Sequence, residues 1–193
     1  MPVIEFNEEL HTYLVDGVLT PSVTQVINML QDFSFVPDDL LERASQFGRA
    51  VHKAVELYVL GDLNESKLSE PLVPYLNQYK KFEAETGFVA SHTEQPVYSK
   101  FGYCGTFDLA GKLSGNRNPV LIDVKSCTSL HKVVGLQLAA YQQAFKETCG
   151  IITKQRFALK LTDKNYRLVE YNDPADFDIF NSCLKLHNWR INK

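Results

Sequence analysis

Two periodicities alternate along the chain. The opening is strand-like: residues 3–6 and 12–15 read as a short hairpin turning at Asn7-Glu8-Glu9, and Asp16-Gly17 is a second turn signal. Thr20-Pro21-Ser22 then starts a helix, with Ser22 as N-cap and Val23, Val26, Ile27 and Leu30 at helical spacing. Pro37-Asp38-Asp39 opens a longer helix, because proline and acidic residues suit a positive helix start. Its apolar stripe runs through Leu40, Leu41, Ala44, Phe47, Val51, Ala54, Val55, Tyr58 and Val59. Gly48 interrupts the stripe and marks either close packing or a break between two helices. His52 and Glu56 follow at one-turn intervals, and Gly61 ends the run. Residues 63–74 read as a polar surface connection, and Tyr75–Glu85 as a third helix stopped by Gly87.

The period then changes. Residues 88–98, 103–113 and 120–125 read as three consecutive strands, the first pair turning at Phe101-Gly102. A helical pattern follows Ser129 and closes at Gly150. Residues 155–161 alternate as a half-buried strand, Asp163-Lys164-Asn165 turns into a strand over 166–171, and a last helix runs from about 174 to 189. No repeat or low-complexity segment divides the 193 residues, which predicts one domain with residues 1–30 packed on its core. The order predicts an α/β fold with a central mixed β-sheet flanked by helices.

The chemistry concentrates in residues 105–125. Asp108 sits in the apolar segment Gly105-Thr-Phe-Asp-Leu-Ala-Gly111, and Asp123 in Val120-Leu-Ile-Asp-Val-Lys125. Residues two apart on a strand share a face, so Asp123 and Lys125 project together while Ile122 and Val124 enter the opposite layer. A hairpin through residues 114–119 brings Asp108 alongside Asp123. Two clustered carboxylates need a proton or a cation between them, and a hard divalent metal fits oxygen ligands. Taken singly, each residue has a plainer reading. His52 is a packed helix histidine, Asp123 and Lys125 a solvated ion pair, and Gln137 and Tyr141 ordinary helix residues.

Composition narrows the picture little. A net charge of -3 gives no whole-molecule sign of nucleic-acid binding, so any such face is a local patch; Lys132, Lys146, Lys154, Arg156 and Lys160 are candidates. No apolar run spans a bilayer and the first residues lack a signal-peptide layout, which predicts a cytoplasmic location. Cys104, Cys127, Cys149 and Cys183 are far apart, without a C-x-x-C pair, and read as buried free thiols.

Together these residues resemble the PD-(D/E)xK nuclease superfamily, in its RecB-type branch of phage and mitochondrial exonucleases. The carriers are Gly48-x-x-x-His52, Gly105-Thr-Phe-Asp108, Asp123-Val-Lys125 and Gln137-x-x-x-Tyr141, with His11-Thr-Tyr13, Asp16-Gly17 and Pro21-Ser-Val-Thr24 like the start of phage-type members. Glycine, threonine and phenylalanine precede Asp108 where the superfamily's name has proline, a common variation in this branch. The resemblance implies a restriction-endonuclease-like core of order αβββαβ. It implies Mg²⁺ or Mn²⁺ held by His52, Asp108, Asp123 and the carbonyl of Val124. Asp108, Asp123 and Lys125 are then catalytic, Glu94 supports them, and Gln137 and Tyr141 help hold the DNA strand. The implied function is a metal-dependent exonuclease acting on linear DNA ends in recombination or repair. The alternatives are a structure-selective or nicking endonuclease on the same fold, or a non-catalytic DNA-binding module. Ring-forming relatives leave a homo-oligomer and a phage-type recombination partner protein open.

Overall fold

The computed structural model describes residues 2–7, 12–32 and 34–191. The expected turn at Glu8-Glu9 and the motif residue His11 lie outside them. Strands β1 (Ile4–Asn7), β2 (Thr12–Val15) and β3 (Val18–Thr20) form an antiparallel three-stranded sheet. The third strand is absent from the sequence reading, because its three residues are too short to show a period. Helix α1 (Val23–Ile27) follows, and Ser22 caps it reciprocally with Gln25.

Helix α2 (Asp38–Leu60) runs unbroken through Gly48 and stops at Gly61, which adopts a left-handed C-cap conformation. Val51, Ala54 and Val55 are buried on it, but Leu40 and Leu41 are exposed. The apolar stripe therefore continues past the body that covers it, and the first turns of the helix project. Two short 3-10 turns, Glu65–Lys67 and Glu70–Leu72, lead into α3 (Val73–Thr86).

The main sheet has the order β4 (Val89–Ser99), β5 (Tyr103–Lys112), β6 (Val120–Lys125), β7 (Gln155–Leu161), β8 (Tyr166–Glu170). All neighbours are antiparallel except β6 and β7, which are parallel. Helix α4 (Val133–Cys149) makes that crossover, and α5 (Asp176–Ile191) follows β8. From α3 to β7 the order is αβββαβ, so the expected mixed sheet flanked by helices is present.

Helices cover both faces. Residues of α1, α4 and α5 pack on one side, including Val26, Leu138, Phe145 and Phe180. Val51, Val55, Tyr79 and Phe82 of α2 and α3 pack on the other. Strand β6 feeds both layers by alternation, Leu121 into the first and Val120, Ile122 and Val124 into the second. In β5 the alternation slips. Phe107 and Leu109 lie two residues apart, yet Phe107 enters the α4-side core and Leu109 the α2-side core. The residue between them is Asp108.

All four cysteines are free; Cys104 and Cys183 are buried, but Cys127 is exposed because it lies in the loop after β6. Among the described residues, no helix is long and apolar enough to cross a membrane.

Candidate metal and active site

The site begins where the β5–β6 ladder ends. Its last pair is Leu109 with Ile122, and the next residues inward are Asp108 and Asp123. Here a side chain replaces the ladder: the Val124 N–H donates to Asp108 Oδ2 at 2.6 Å. That bond leaves Oδ1 to face helix α2, where it lies 3.2 Å from His52 Nδ1. His52 belongs to the turn that carries buried Val51 and Val55, so packing of α2 on the sheet carries the imidazole to the strand end.

Glu94 comes from β4. The flanking pairs, Thr93 with Leu109 and Gln95 with Phe107, set it opposite Asp108. Its φ is 44°, a left-handed conformation inside a strand. Non-glycine residues rarely adopt it, and such strain concentrates at functional sites. One ligand atom each from His52, Glu94 and Asp108 lies within 4.8 Å of the others.

Asp123 and Lys125 share a face and form an ion pair of 2.7 Å. The Lys125 ammonium also donates to Gln137 Oε1 at 3.2 Å. Gln137 and Tyr141 are both buried on α4. The Tyr141 ring lies against bare backbone: a Cβ built on Gly105 would stand 2.8 Å from its Cε1. Glycine is thus required at the head of the Gly105-Thr-Phe-Asp108 segment for a packing reason.

The electrostatics are those of a buried site with excess negative charge. Burial pushes Glu94 up to about 8, and the charge of Asp108 adds to it. Burial also raises Asp123, against the pull of Lys125. For Asp108 burial is outweighed by the charge and hydrogen bond of His52, by Lys125 and by the Val124 amide, which hold it below its usual range. His52 rises to about 9, because Asp108 overcomes the opposing effect of burial. Lys125 is likewise raised: burial opposes its charge, but Asp123 and Asp108 outweigh it.

These groups fit a divalent cation. With the imidazole neutral, the carboxylates of Glu94, Asp108 and Asp123 face the single ammonium of Lys125, leaving the charge that one divalent ion balances. One imidazole nitrogen with carboxylate oxygens suits Mn²⁺ well and Mg²⁺ less well.

The geometry redistributes the expected roles. His52 and Asp108 come together as the sequence reading anticipates, and the third member of the cluster is Glu94, given only a supporting part there. Asp123 lies outside that trio and faces Lys125. Val124 contributes its N–H to Asp108. Gln137 and Tyr141 retain 8% and 4% of their surface, so direct contact with a strand has little surface to use, and Gln137 instead touches Lys125. Two of the basic residues are engaged elsewhere. Arg156 pairs with Asp176 at 2.8 Å, and Lys160 donates to the Thr128 carbonyl. Lys132, Lys146 and Lys154 are exposed. The sequence reading names Tyr13 only as part of the opening motif and gives it no contact; its hydroxyl meets Thr106 Oγ1 at 2.9 Å and ties the small sheet to β5. The available signal was a large aromatic on the buried face of a short hairpin.

No family model and no curated protein matches the chain. Among solved structures, it is similar to a candidate exonuclease from Eubacterium rectale, at 14% identity and a TM-score of 0.49, over 75% of this chain and 65% of that one. It is also similar to the protein SSO0001, at 15% identity and a TM-score of 0.41, over 75% of this chain and 70% of that one. The matched part thus spans about 65% of the length of the Eubacterium rectale protein.

Proposed function

We propose that this chain is a divalent-metal-dependent nuclease of the PD-(D/E)xK type, with residues 1–193 as one nuclease domain that hydrolyses phosphodiester bonds at DNA ends. One observation carries the reading: the His52, Glu94 and Asp108 cluster at the broken end of the β5–β6 ladder, next to the Asp123–Lys125 pair. When bound, a divalent cation supplies charge relief at the phosphate and a more acidic water. His52, Glu94 and Asp108 are the residues to hold it, and the Val124 N–H keeps the Asp108 carboxylate aimed outward from the ladder. Asp123 and Gln137 grip the Lys125 ammonium from two sides. A fixed ammonium there orients the attacking water and steadies charge developing on the phosphate oxygens.

The preference for DNA ends, and for a phage-type recombination or repair role, follows the resemblance of the four motifs. End-labelled linear duplex and closed circular single-stranded DNA, each with Mg²⁺, Mn²⁺ or a chelator, test it. The expected result is metal-dependent loss of the linear DNA, an intact circle, and no cleavage by Asp108→Asn. A cut circle makes the chain an endonuclease. No cleavage with either metal rejects the nuclease reading in favour of a DNA-binding module.

A further inference from the structure

Among the described residues, Asp108 has no partner in either ladder of β5. Toward β4 the pairs are Gln95 with Phe107 and Thr93 with Leu109, and Glu94 and Asp108 between them are left out. Toward β6 the pairing covers only Leu109, Ala110 and Gly111. The first half of β5, residues 103–107, therefore has β4 along one edge and no β6 along the other. A strand edge left so must find other partners for its backbone groups.

The N-terminal chain supplies them. The Cys104 N–H donates to the Pro21 carbonyl at 3.0 Å, and Ser22 forms an isolated parallel bridge with Cys104. Tyr13 pairs with Thr20 in the small sheet, which sets it beside the segment that meets Cys104. Its ring is buried in a cluster with Val15 and Cys104 and stacks on Phe6 at 4.5 Å. Its hydroxyl reaches Thr106 Oγ1 at 2.9 Å, two residues before Asp108. Burial raises the Tyr13 phenol above its ordinary value, the Thr106 bond opposes the rise, and the charges of Cys104 and then Glu94 add to it. The hydroxyl thus stands within the field of the carboxylate cluster.

Beyond β4, hydrogen bonds hold this part of β5 at three alternate residues: Pro21 at Cys104, Tyr13 at Thr106 and the Val124 amide at Asp108. We infer that Tyr13 is a positioning residue for the metal cluster: through Thr106 its hydroxyl fixes the strand that carries Asp108, and the N-terminal sheet is a working part of the candidate active site. This rests on the nuclease reading. Tyr13 touches neither metal nor substrate. It acts by keeping Asp108 in register with His52 and Glu94, a geometry that a metal site tolerates only within about 0.5 Å.

Tyr13→Phe and Thr106→Val test this, singly and together, because each removes one hydroxyl and leaves its neighbours packed. The measurements are thermal stability, Mn²⁺ binding by titration, and Mn²⁺-dependent cleavage of linear DNA. Tyr13→Phe should weaken Mn²⁺ binding about tenfold, the lower end of what loss of an outer partner costs. Its kcat should fall to a similar extent with KM little changed. Thr106→Val should match it, and the double variant should be no worse than either single one, because both remove the same bond. Thr106→Ser should recover most of the affinity lost in Thr106→Val. A Tyr13→Phe protein with wild-type Mn²⁺ affinity and kcat overturns the inference, whatever its melting temperature, and leaves the nuclease reading standing. Fully additive losses in the double variant also overturn it, by showing that the two hydroxyls act separately. A wild-type protein that binds Mn²⁺ but cleaves no DNA removes the nuclease reading, and this inference with it.

Discussion

The Val124 amide donates to Asp108 Oδ2 at 2.6 Å, one step beyond the last paired residues of β5 and β6. A carboxylate has taken the place of a backbone acceptor, so the same oxygen pair ends the ladder and builds the site. Substitutions at Asp108 should separate these tasks. Asp108→Asn keeps an oxygen for the amide and removes the charge that pairs with His52, so this variant should lose less stability than Asp108→Ala. Its Mn²⁺ affinity should fall by more than the roughly 10- to 100-fold that loss of an outer-shell partner costs. Asp108→Ala strands the amide as well, and should lower unfolding free energy by about 1–3 kcal/mol in a urea titration.

The protonation states give a pH dependence. Glu94 is raised from 4.5 to about 8 in the folded, metal-free protein. Its contribution to stability is therefore complete below 4.5 and lost as pH rises through about 8. His52, raised to about 9, has the same sign and loses its contribution as pH passes that value. Metal binding needs both groups deprotonated, so it releases protons and strengthens with pH. The gain in melting temperature on adding Mn²⁺ should grow steadily from acidic pH toward 9, as scanning calorimetry at fixed metal concentration would record. In Glu94→Gln the metal-free protein should lose the part of its pH-dependent decline that ends near 8. A metal-induced gain that is flat with pH contradicts the assignment.

Gln137 positions Lys125 and has little surface for anything else. Gln137→Leu keeps the volume on α4 and removes the acceptor, leaving the ammonium held by Asp123 alone. Steady-state kinetics on linear DNA should show kcat reduced about tenfold with KM little changed, the pattern of a misplaced charge and not of lost strand binding. An increase in KM alone would restore the strand-holding role.

Gly105→Ala places a methyl group 2.8 Å from the Tyr141 ring, in a layer that includes Val23. The clash should cost about 1–3 kcal/mol of stability, visible as a shift of the urea midpoint without a change in slope.

Much of this fold is legible in the chain because local rules and burial agree. Ser22 reads as a cap and is one, and β6 alternates so regularly that the shared face of Asp123 and Lys125 follows from their spacing. The site is legible only in part. Nothing local in Thr93-Glu94-Gln95 announces a left-handed glutamate, because its conformation depends on the strand beside it. The slip of faces between Phe107 and Leu109 is invisible for the same reason: both are apolar, and either layer accepts them. The exposed start of α2 defeats pattern reading in the other direction. Leu40 and Leu41 keep the helical period, but the body ends before it reaches them.

Helix α2, strands β4, β5 and β6 and helix α4 each contribute one or more of the groups from His52 to Gln137. No short fragment contains them all, and β6 reaches its full pairing only after β7 has been laid alongside. A partial chain therefore holds some residues of the candidate site long before their side chains converge. On the proposed function, hydrolysis depends on the completed tertiary structure, and local melting of the sheet disperses the groups it needs.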